Sequence, residues 1–138
     1  MTLLLVAFLV AIILVGGLIL FLVTRGTGSS ELNVERYRSE WLKIERQLVK
    51  GQESTYQMVI LNADKLLDQA LKQRGFKGET MGERMKAAKD IWNNANNVWT
   101  VHKLRNRIAH EHDVKVGYDM ARRALSAFKQ ALKDVGAI

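Results

Sequence analysis

The chain has 138 residues, with 21 Lys and Arg against 14 Asp and Glu, no cysteine and no proline. That length allows one small domain and little else, and the absence of cysteine excludes disulfides, a cysteine-ligated zinc finger and a thiol nucleophile. The absence of proline favours an all-helical chain, because proline breaks the hydrogen-bond ladder of a helix. Charge is unevenly distributed: residues 1–24 carry no charged side chain, so every charge lies in the rest of the chain.

The first element in chain order is an apolar N-terminal segment. Every residue from Leu3 to Val23 is apolar or glycine, and a helix of that length spans about 30 Å, the thickness of the hydrocarbon core of a bilayer. We therefore predict a transmembrane anchor over residues 1–24 that contacts the lipid bilayer through residues 3–23. A cleaved secretory signal is the alternative, but Met1 and Thr2 supply no basic n-region and the apolar run is too long for one.

Basic residues flank only one end of this segment. Nothing basic precedes it, whereas Arg25, Arg36 and Arg38 follow closely. By the positive-inside tendency, we expect a single-pass protein of the cell membrane whose C-terminal domain lies in the cytoplasm. Residues 25–31 predict a flexible linker with a reach on the order of 14 Å. The domain over residues 32–138 is therefore expected close to the membrane surface.

Apolar residues then recur at helical spacing, and each stripe predicts one helix with a buried face. Asn33 is a candidate N-cap for the first of these helices, and Thr80 and Glu83 have the spacing of a capping box. The run from Asn93 to Asn97 is a poor helix former and predicts a break or a bend. Residues 110–117 are typical of a connector. The stripes cover the ranges 34–48, 56–70, 80–91, 101–108 and 121–135.

These patterns predict an all-α protein, in which a single N-terminal transmembrane helix is followed by a four- or five-helix antiparallel bundle. No strand-like alternation of useful length occurs in the sequence. Tryptophans at positions 41, 92 and 99 are interpreted as core and interface residues, because large aromatic side chains dominate the packing of small domains.

The densest polar stretch of the chain runs from Lys103 to Asp113. On a helix with about 100° per residue, His102, Asn106 and His110 share one row on the outer face. A histidine in that position is expected to face solvent, a partner subunit or an anionic ligand rather than the core. The core-facing positions of the same helix are Val101, Leu104 and Ile108.

The segment from Arg105 to His110, with Asn106 directly after the arginine, resembles the R-x4–6-H signature of the HEPN superfamily. Residues 62–67, Gly75 and residues 80–84 are similar to the earlier helices of small bacterial HEPN-like proteins. The resemblance extends over about residues 55–135, all within the predicted helical domain.

Catalytic HEPN domains are metal-independent endoribonucleases that act as dimers, with two such motifs facing one cleft. The resemblance therefore implies a homodimer that cleaves RNA without a metal or any small-molecule cofactor. His110 would act as general acid and base when the ribose 2′-OH attacks the phosphate, Arg105 would stabilise the charge on that phosphate, and Asn106 would orient the pair. The RNA- or phosphate-binding residues beside this catalytic set would be Lys103, Arg107 and His102.

Two other interpretations stay open. Many HEPN-like domains are non-catalytic modules for dimerisation, RNA binding or protein binding, and Arg105 could instead pair with a carboxylate across the bundle, with Asp64, Asp68 and Asp90 as the candidates. A metal site built on His110 and His112 is disfavoured, because the two side chains diverge by about 200° on a helix. The sequence therefore predicts either a membrane-tethered endoribonuclease or a membrane-tethered interaction module.

Overall fold

The computed structural model describes residues 1–26 and 31–138, so residues 27–30 of the predicted linker lie outside the described residues. The described part of the chain is helical and contains no strand. The all-α prediction is therefore confirmed. The six helices are α1 (Thr2–Gly26), α2 (Val34–Gln47), α3 (Glu53–Gln73), α4 (Met81–Ala87), α5 (Ala95–His110) and α6 (Tyr118–Val135).

Helix α1 is the apolar segment expected from the sequence. Its stretch Thr2–Leu22 has a mean hydropathy of 3.2, which makes it long and apolar enough to cross a membrane. None of that stretch is buried against the rest of the chain. Leu3, Phe8 and Leu14 each expose more than half of their surface, so the apolar side chains of α1 are not part of the core.

Helices α2 and α3 begin and end close to where the sequence places them. Asn33 caps α2, because its side-chain oxygen accepts a hydrogen bond from the backbone N–H of Arg36 at 3.0 Å. Tyr37, Trp41 and Ile44 form the buried stripe of α2. Helix α3 starts three residues earlier than its apolar stripe and ends at Gln73, two residues before Gly75.

Helix α4 has the predicted capping box but is shorter than predicted. Thr80 accepts from the backbone N–H of Glu83, and the Glu83 side chain accepts from the backbone of Thr80 in return. The helix ends at Ala87 rather than near Ile91. The Trp92 indole donates to the carbonyl of Met85 at 3.1 Å, which takes the acceptor that the next α-helical hydrogen bond would have used.

The asparagine run lies where the connection between α4 and α5 ends and α5 begins. Asn94 caps α5 by accepting from the backbone N–H of Asn97 at 3.1 Å, so the run supplies a helix start. Because short polar side chains cap helices better than they extend them, the predicted break lies directly before α5. Residues 111–117 connect α5 to α6, and Gly136 ends α6 in the left-handed conformation with φ of 82°.

Helix α3 is the central element of the core. It packs against α2, α4, α5 and α6, while α5 and α6 also pack against each other. Val59, Ile60, Ala63 and Leu67 of α3 are fully buried. Most polar residues of α3 remain at the surface, but Thr55 and Asp64 are buried. Asp64 organises the candidate site.

Candidate functional site

Asp64 is a carboxylate on α3 whose side chain is only 4% exposed, and it holds two residues of α5. Its Oδ1 lies 2.9 Å from Nδ1 of His102, and its Oδ2 lies 3.1 Å from Nε of Arg105. The Arg105 contact is an ion pair whose angle falls short of a hydrogen bond. A buried carboxylate needs such partners, because an unpaired charge in the interior is strongly unfavourable.

Asn106 closes this arrangement into a ring. Arg105 Nη1 donates to Asn106 Oδ1 at 3.1 Å, and the Asn106 amide nitrogen faces Nε2 of His102 at 3.3 Å. We call these four residues, Asp64, His102, Asn106 and Arg105, the Asp64 ring. Every member contacts two others, so α5 is attached to α3 by a closed polar network and not by one isolated pair.

The ring also determines which nitrogen of His102 carries the proton. The guanidinium of Arg105 can only donate, so it requires the oxygen of the Asn106 amide. That choice turns the amide nitrogen, which is also a donor, toward Nε2 of His102. Nε2 must then accept, and the imidazole proton lies on Nδ1, where it donates to Asp64. Arg105 thus fixes the amide, and the amide fixes the tautomer.

A second carboxylate lies one turn further along α3. Asp68 accepts from Arg84 in a two-pronged contact, with Nε at 2.7 Å and Nη2 at 3.0 Å, and Lys72 approaches it at 3.0 Å. Arg84 also donates to the carbonyl of Gly78 at 2.6 Å. Burial alone would raise the pKa of Asp68, but the hydrogen bonds from Arg84 and Lys72 outweigh it and hold that pKa below its ordinary value.

An open groove of about 1140 Å³ lies over both carboxylates, between α3, α4 and α5. His110, at the end of α5, lines this groove together with Arg105 and Asn106. The His110 side chain is exposed and makes no hydrogen bond or ion pair with any described residue. It is therefore the one histidine of the motif that a ligand in the groove can reach without breaking an existing contact.

The predicted site residues differ in where the structure places them. Arg105, Asn106 and His110 share the groove, as the motif requires, but Asn106 contacts His102 rather than His110. Lys103 is exposed beside them. Arg107 is also exposed but points to Glu111, with its Nε 3.2 Å from the carboxylate.

His102 lies inside the protein, which corrects the outward position expected from the helical row. It is 7% exposed, and Trp99 packs edge-on against its ring with centroids 6.2 Å apart. The physical reason is Asp64, which offers a buried acceptor on the neighbouring helix. A wheel drawn for α5 alone cannot show that acceptor. His102 is thus placed to support the fold of the site and not to meet a phosphate from solvent.

Sequence reasoning also missed the burial of Arg84 and the partial burial of Asp68, whose side chain is 18% exposed. Arg84 is 5% exposed, although an arginine in a short surface helix is normally solvated. The only sequence signal for the position of Arg84 was the capping box of Thr80 and Glu83. That box sets the residue at which α4 begins, and so the orientation of the first turn that carries Arg84. Of the three carboxylates considered for Arg105, the structure pairs it with Asp64.

Within residues 1–26 and 31–138, no three His, Asp or Glu side chains come together as a set that could hold a metal ion. No protein-family model, no curated protein and no solved structure matches this chain. What the chain does must therefore be inferred from the geometry of the groove and of the Asp64 ring.

Proposed function

We propose that this chain is a membrane-anchored, HEPN-like helical domain that acts as a non-catalytic interaction module, with the domain on the cytoplasmic side and two copies pairing through α5. The all-helical chain, the apolar α1 ahead of it and the Arg105–His110 segment on the next-to-last helix support this assignment. The antiparallel bundle and the homodimer are parts of the same proposal.

The observation that carries the proposal is the state of Arg105. Its guanidinium is held by Asp64 on α3 and by Asn106 on its own helix, and only 34% of its side chain is exposed. A phosphate that enters the groove meets a positive charge already balanced by a carboxylate 3.1 Å away. Two opposite charges at that distance largely cancel each other's field at the position of a third charge. Arg105 is therefore a poor stabiliser of a reacting phosphate.

The charge of the whole groove supports the same conclusion. Its lining contains five Lys and Arg residues and four Asp and Glu residues, so it is close to neutral. Nucleic-acid sites are expected to carry a clear positive excess, because phosphate neutralisation supplies most of the binding. A mixed surface of this kind suits a protein surface with its own mixture of charges, and a second copy of the chain would provide one.

The second candidate function is a metal-independent endoribonuclease, and it is favoured by His110. This imidazole is exposed, lines the same groove as Arg105 and has no partner among the described residues. In that reaction His110 would take the proton of the ribose 2′-OH as the oxygen attacks phosphorus, and the P–O5′ bond would break. The second imidazole of a dimer would return a proton to the leaving oxygen.

One experiment separates the two functions. The full chain in nanodiscs is incubated with single-stranded and hairpin RNA in the presence of a chelator, and the RNA is analysed on a denaturing gel. The module leaves RNA intact. The nuclease cleaves it, and His110→Ala lowers the rate by at least about a hundredfold, while Asp113→Asn, a change at a nearby exposed position, leaves the rate unchanged.

The pairing itself is measured on the detergent-solubilised chain by light scattering. The proposal expects twice the chain mass of 15.7 kDa for the protein component. Lys103→Glu on the exposed face of α5 is expected to return the mass to that of one chain, and Lys133→Glu on α6 is not. A chain that neither pairs nor cleaves RNA would overturn both proposals.

A further inference from the structure

Helices α2 and α6 form a surface distinct from the polar groove. Two adjoining depressions, of about 530 Å³ and about 310 Å³, run between these helices and share Glu45 and Lys129. We call this surface the α2–α6 seam. It is strongly basic, because its lining has a single carboxylate, Glu45, against four cationic side chains: Arg38, Arg122, Lys129 and Lys133.

Most of this positive charge is not balanced within the protein. Glu45 accepts from Lys129 at 2.8 Å, which accounts for the only carboxylate of the seam. Arg38, Arg122 and Lys133 form no ion pair with any residue the structure describes. The polar groove is less basic: Arg84 and Arg105 are paired with Asp68 and Asp64, and its three lysines share the lining with two further carboxylates, Glu79 and Glu83.

The seam also has an apolar component. Leu42 is 48% exposed and lies between Arg38 and Glu45 along α2. Its neighbours in the lining are further apolar side chains of α2, α6 and the C-terminal segment: Trp41, Leu48, Leu125 and Ile138. A surface that combines unpaired cations with an exposed leucine matches the chemistry of an anionic lipid headgroup region, which is charged outside and apolar just beneath.

The chain itself restricts how far the seam can lie from a bilayer. Helix α1 ends at Gly26 and α2 begins at Val34. The eight Cα–Cα steps from Gly26 to Val34 span at most about 3.6 Å each, or about 29 Å in all. Arg38 lies in the second turn of α2 and Leu42 in the third, about 6 Å and 12 Å along the helix from Val34, so a membrane entered by α1 is within reach of the seam.

We propose that the α2–α6 seam rests on the anionic phospholipid headgroups of the membrane that α1 crosses. This inference rests on the membrane anchor of the proposed function, but not on whether the domain cleaves RNA or pairs with a second copy. It also orients the domain. Gln73 of α3 contacts Tyr37 of α2 at 2.8 Å, and it follows Asp64 by nine positions. Nine positions are about two and a half helical turns at about 100° per residue, so Gln73 and Asp64 lie on opposite sides of α3. The side of α3 that holds the Asp64 ring therefore faces away from the bilayer.

The absence of cysteine allows a direct test with single introduced thiols. Ser39→Cys places a fluorophore on the exposed surface of α2, one turn before Leu42, and Asn96→Cys places the control fluorophore on the first turn of α5. The full chain is reconstituted in nanodiscs with nitroxide-labelled headgroups, either zwitterionic or with about one third anionic phosphatidylglycerol. Quenching of each fluorophore by the headgroup nitroxide is then measured.

We expect the label at position 39 to be quenched at least about twofold more in the anionic nanodiscs, and the label at position 96 to be unaffected by lipid charge. High salt should abolish the difference, because the screening length falls from about 10 Å at 0.1 M to about 3 Å at 1 M. Arg38→Gln with Lys133→Gln should abolish it too, whereas Lys65→Gln with Lys86→Gln, which removes the same charge from the polar groove, should not.

Three results would overturn the proposal. The first is equal quenching at position 39 with zwitterionic and anionic lipid. The second is quenching at position 96 that matches or exceeds quenching at position 39. The third is an equal loss from both pairs of lysine and arginine substitutions, which would mean that net charge and not the seam drives the contact. Circular dichroism of each variant confirms that its helical content is unchanged before its quenching is interpreted.

Discussion

At the scale of single residues, Asp64 determines how the polar part of the interior is arranged. It fixes His102 and Arg105 on α5, and through Arg105 it sets the amide of Asn106. The segment from Arg105 to His110 is therefore completed by a residue 38 positions before His102. No local pattern could have identified Asp64 as the partner, because spacing along one helix carries no information about the helix packed against it.

Asp64→Asn should destabilise the domain by about 2 kcal/mol, because it leaves a partly buried guanidinium without its carboxylate. Unfolding by urea, followed through the fluorescence of the three tryptophans, measures the loss. The control is Glu111→Gln, which breaks the exposed pair with Arg107 and should change the free energy of unfolding by less than about 0.5 kcal/mol. Equal effects of the two variants would show that the ring contributes no more than a surface pair.

Asp68 should make stability depend on pH in acid. Burial opposes ionisation of this carboxyl, but its hydrogen bonds with Arg84 and Lys72 hold the folded pKa below the ordinary 3.8. The contribution of Asp68 is therefore fully present above 3.8 and is lost as the pH falls through the folded pKa. The difference in unfolding free energy between the wild type and Asp68→Asn should be largest near neutral pH and shrink steadily below about pH 4. A difference that grows on acidification would contradict this assignment.

At the scale of elements, the loop before α4 is the most tightly fitted connection around the groove. A Cβ added to Gly78 would lie 2.6 Å from Cβ of Glu83 and 2.8 Å from the backbone nitrogen of Arg84. The same glycine supplies the carbonyl that Arg84 holds. The capping box fixes where α4 begins, and the close approach of Gly78 fixes how the chain arrives there.

Gly78→Ala should therefore displace the start of α4 and lower the free energy of unfolding by about 1–3 kcal/mol. The matched substitution is Gly82→Ala within α4, where an added Cβ comes no nearer than 3.9 Å to any neighbour and should not destabilise, because alanine favours a helix over glycine by up to about 1 kcal/mol. Both are measured by thermal or urea unfolding of the full chain in detergent. If the two alanines cost the same, the contact at Gly78 does not constrain α4.

Helix positions were largely predictable from the sequence, while side-chain partners were not. The stripes of α2, α3 and α6 follow from apolar spacing, and the caps of α2 and α4 follow from local residue type. Neither signal needs knowledge of the neighbouring helices. The early end of α4 depends on the Trp92 indole reaching the carbonyl of Met85, and the inward position of His102 depends on Asp64. Trp92 lies outside α4, seven residues after Met85, and Asp64 lies on a different helix from His102. The periodicity of a single helix cannot encode either contact.

At the scale of the whole molecule, α1 and the remaining helices are independent in their packing. No part of the stretch Thr2–Leu22 is buried within the protein, whereas the core is complete among α2 to α6 and residues next to them. The apolar surface of α1 therefore stabilises nothing inside the domain and is available to lipid.

Removal of residues 1–30 should move the protein from the membrane fraction to the soluble fraction and leave the unfolding midpoint of the domain within about 2 °C of the full chain. Ile12→Arg with Ile13→Arg tests the anchor without shortening the chain, since each central arginine costs about 2.5–3.5 kcal/mol on insertion. A truncated chain that fails to fold, or one that still sediments with membranes, would contradict the separation of anchor and domain.

The closed form of the Asp64 ring has a consequence for how this sequence can diverge. Each of its four members fixes the orientation of the next, so a related chain that replaces Asp64 with an uncharged residue should also have replaced Arg105, and a change at His102 should be accompanied by one at Asn106. His110 takes no part in the ring and is free to vary alone. Related chains would then share the four residues of the Asp64 ring, whereas His110 would be found only in those relatives whose groove has acquired, or kept, a reaction.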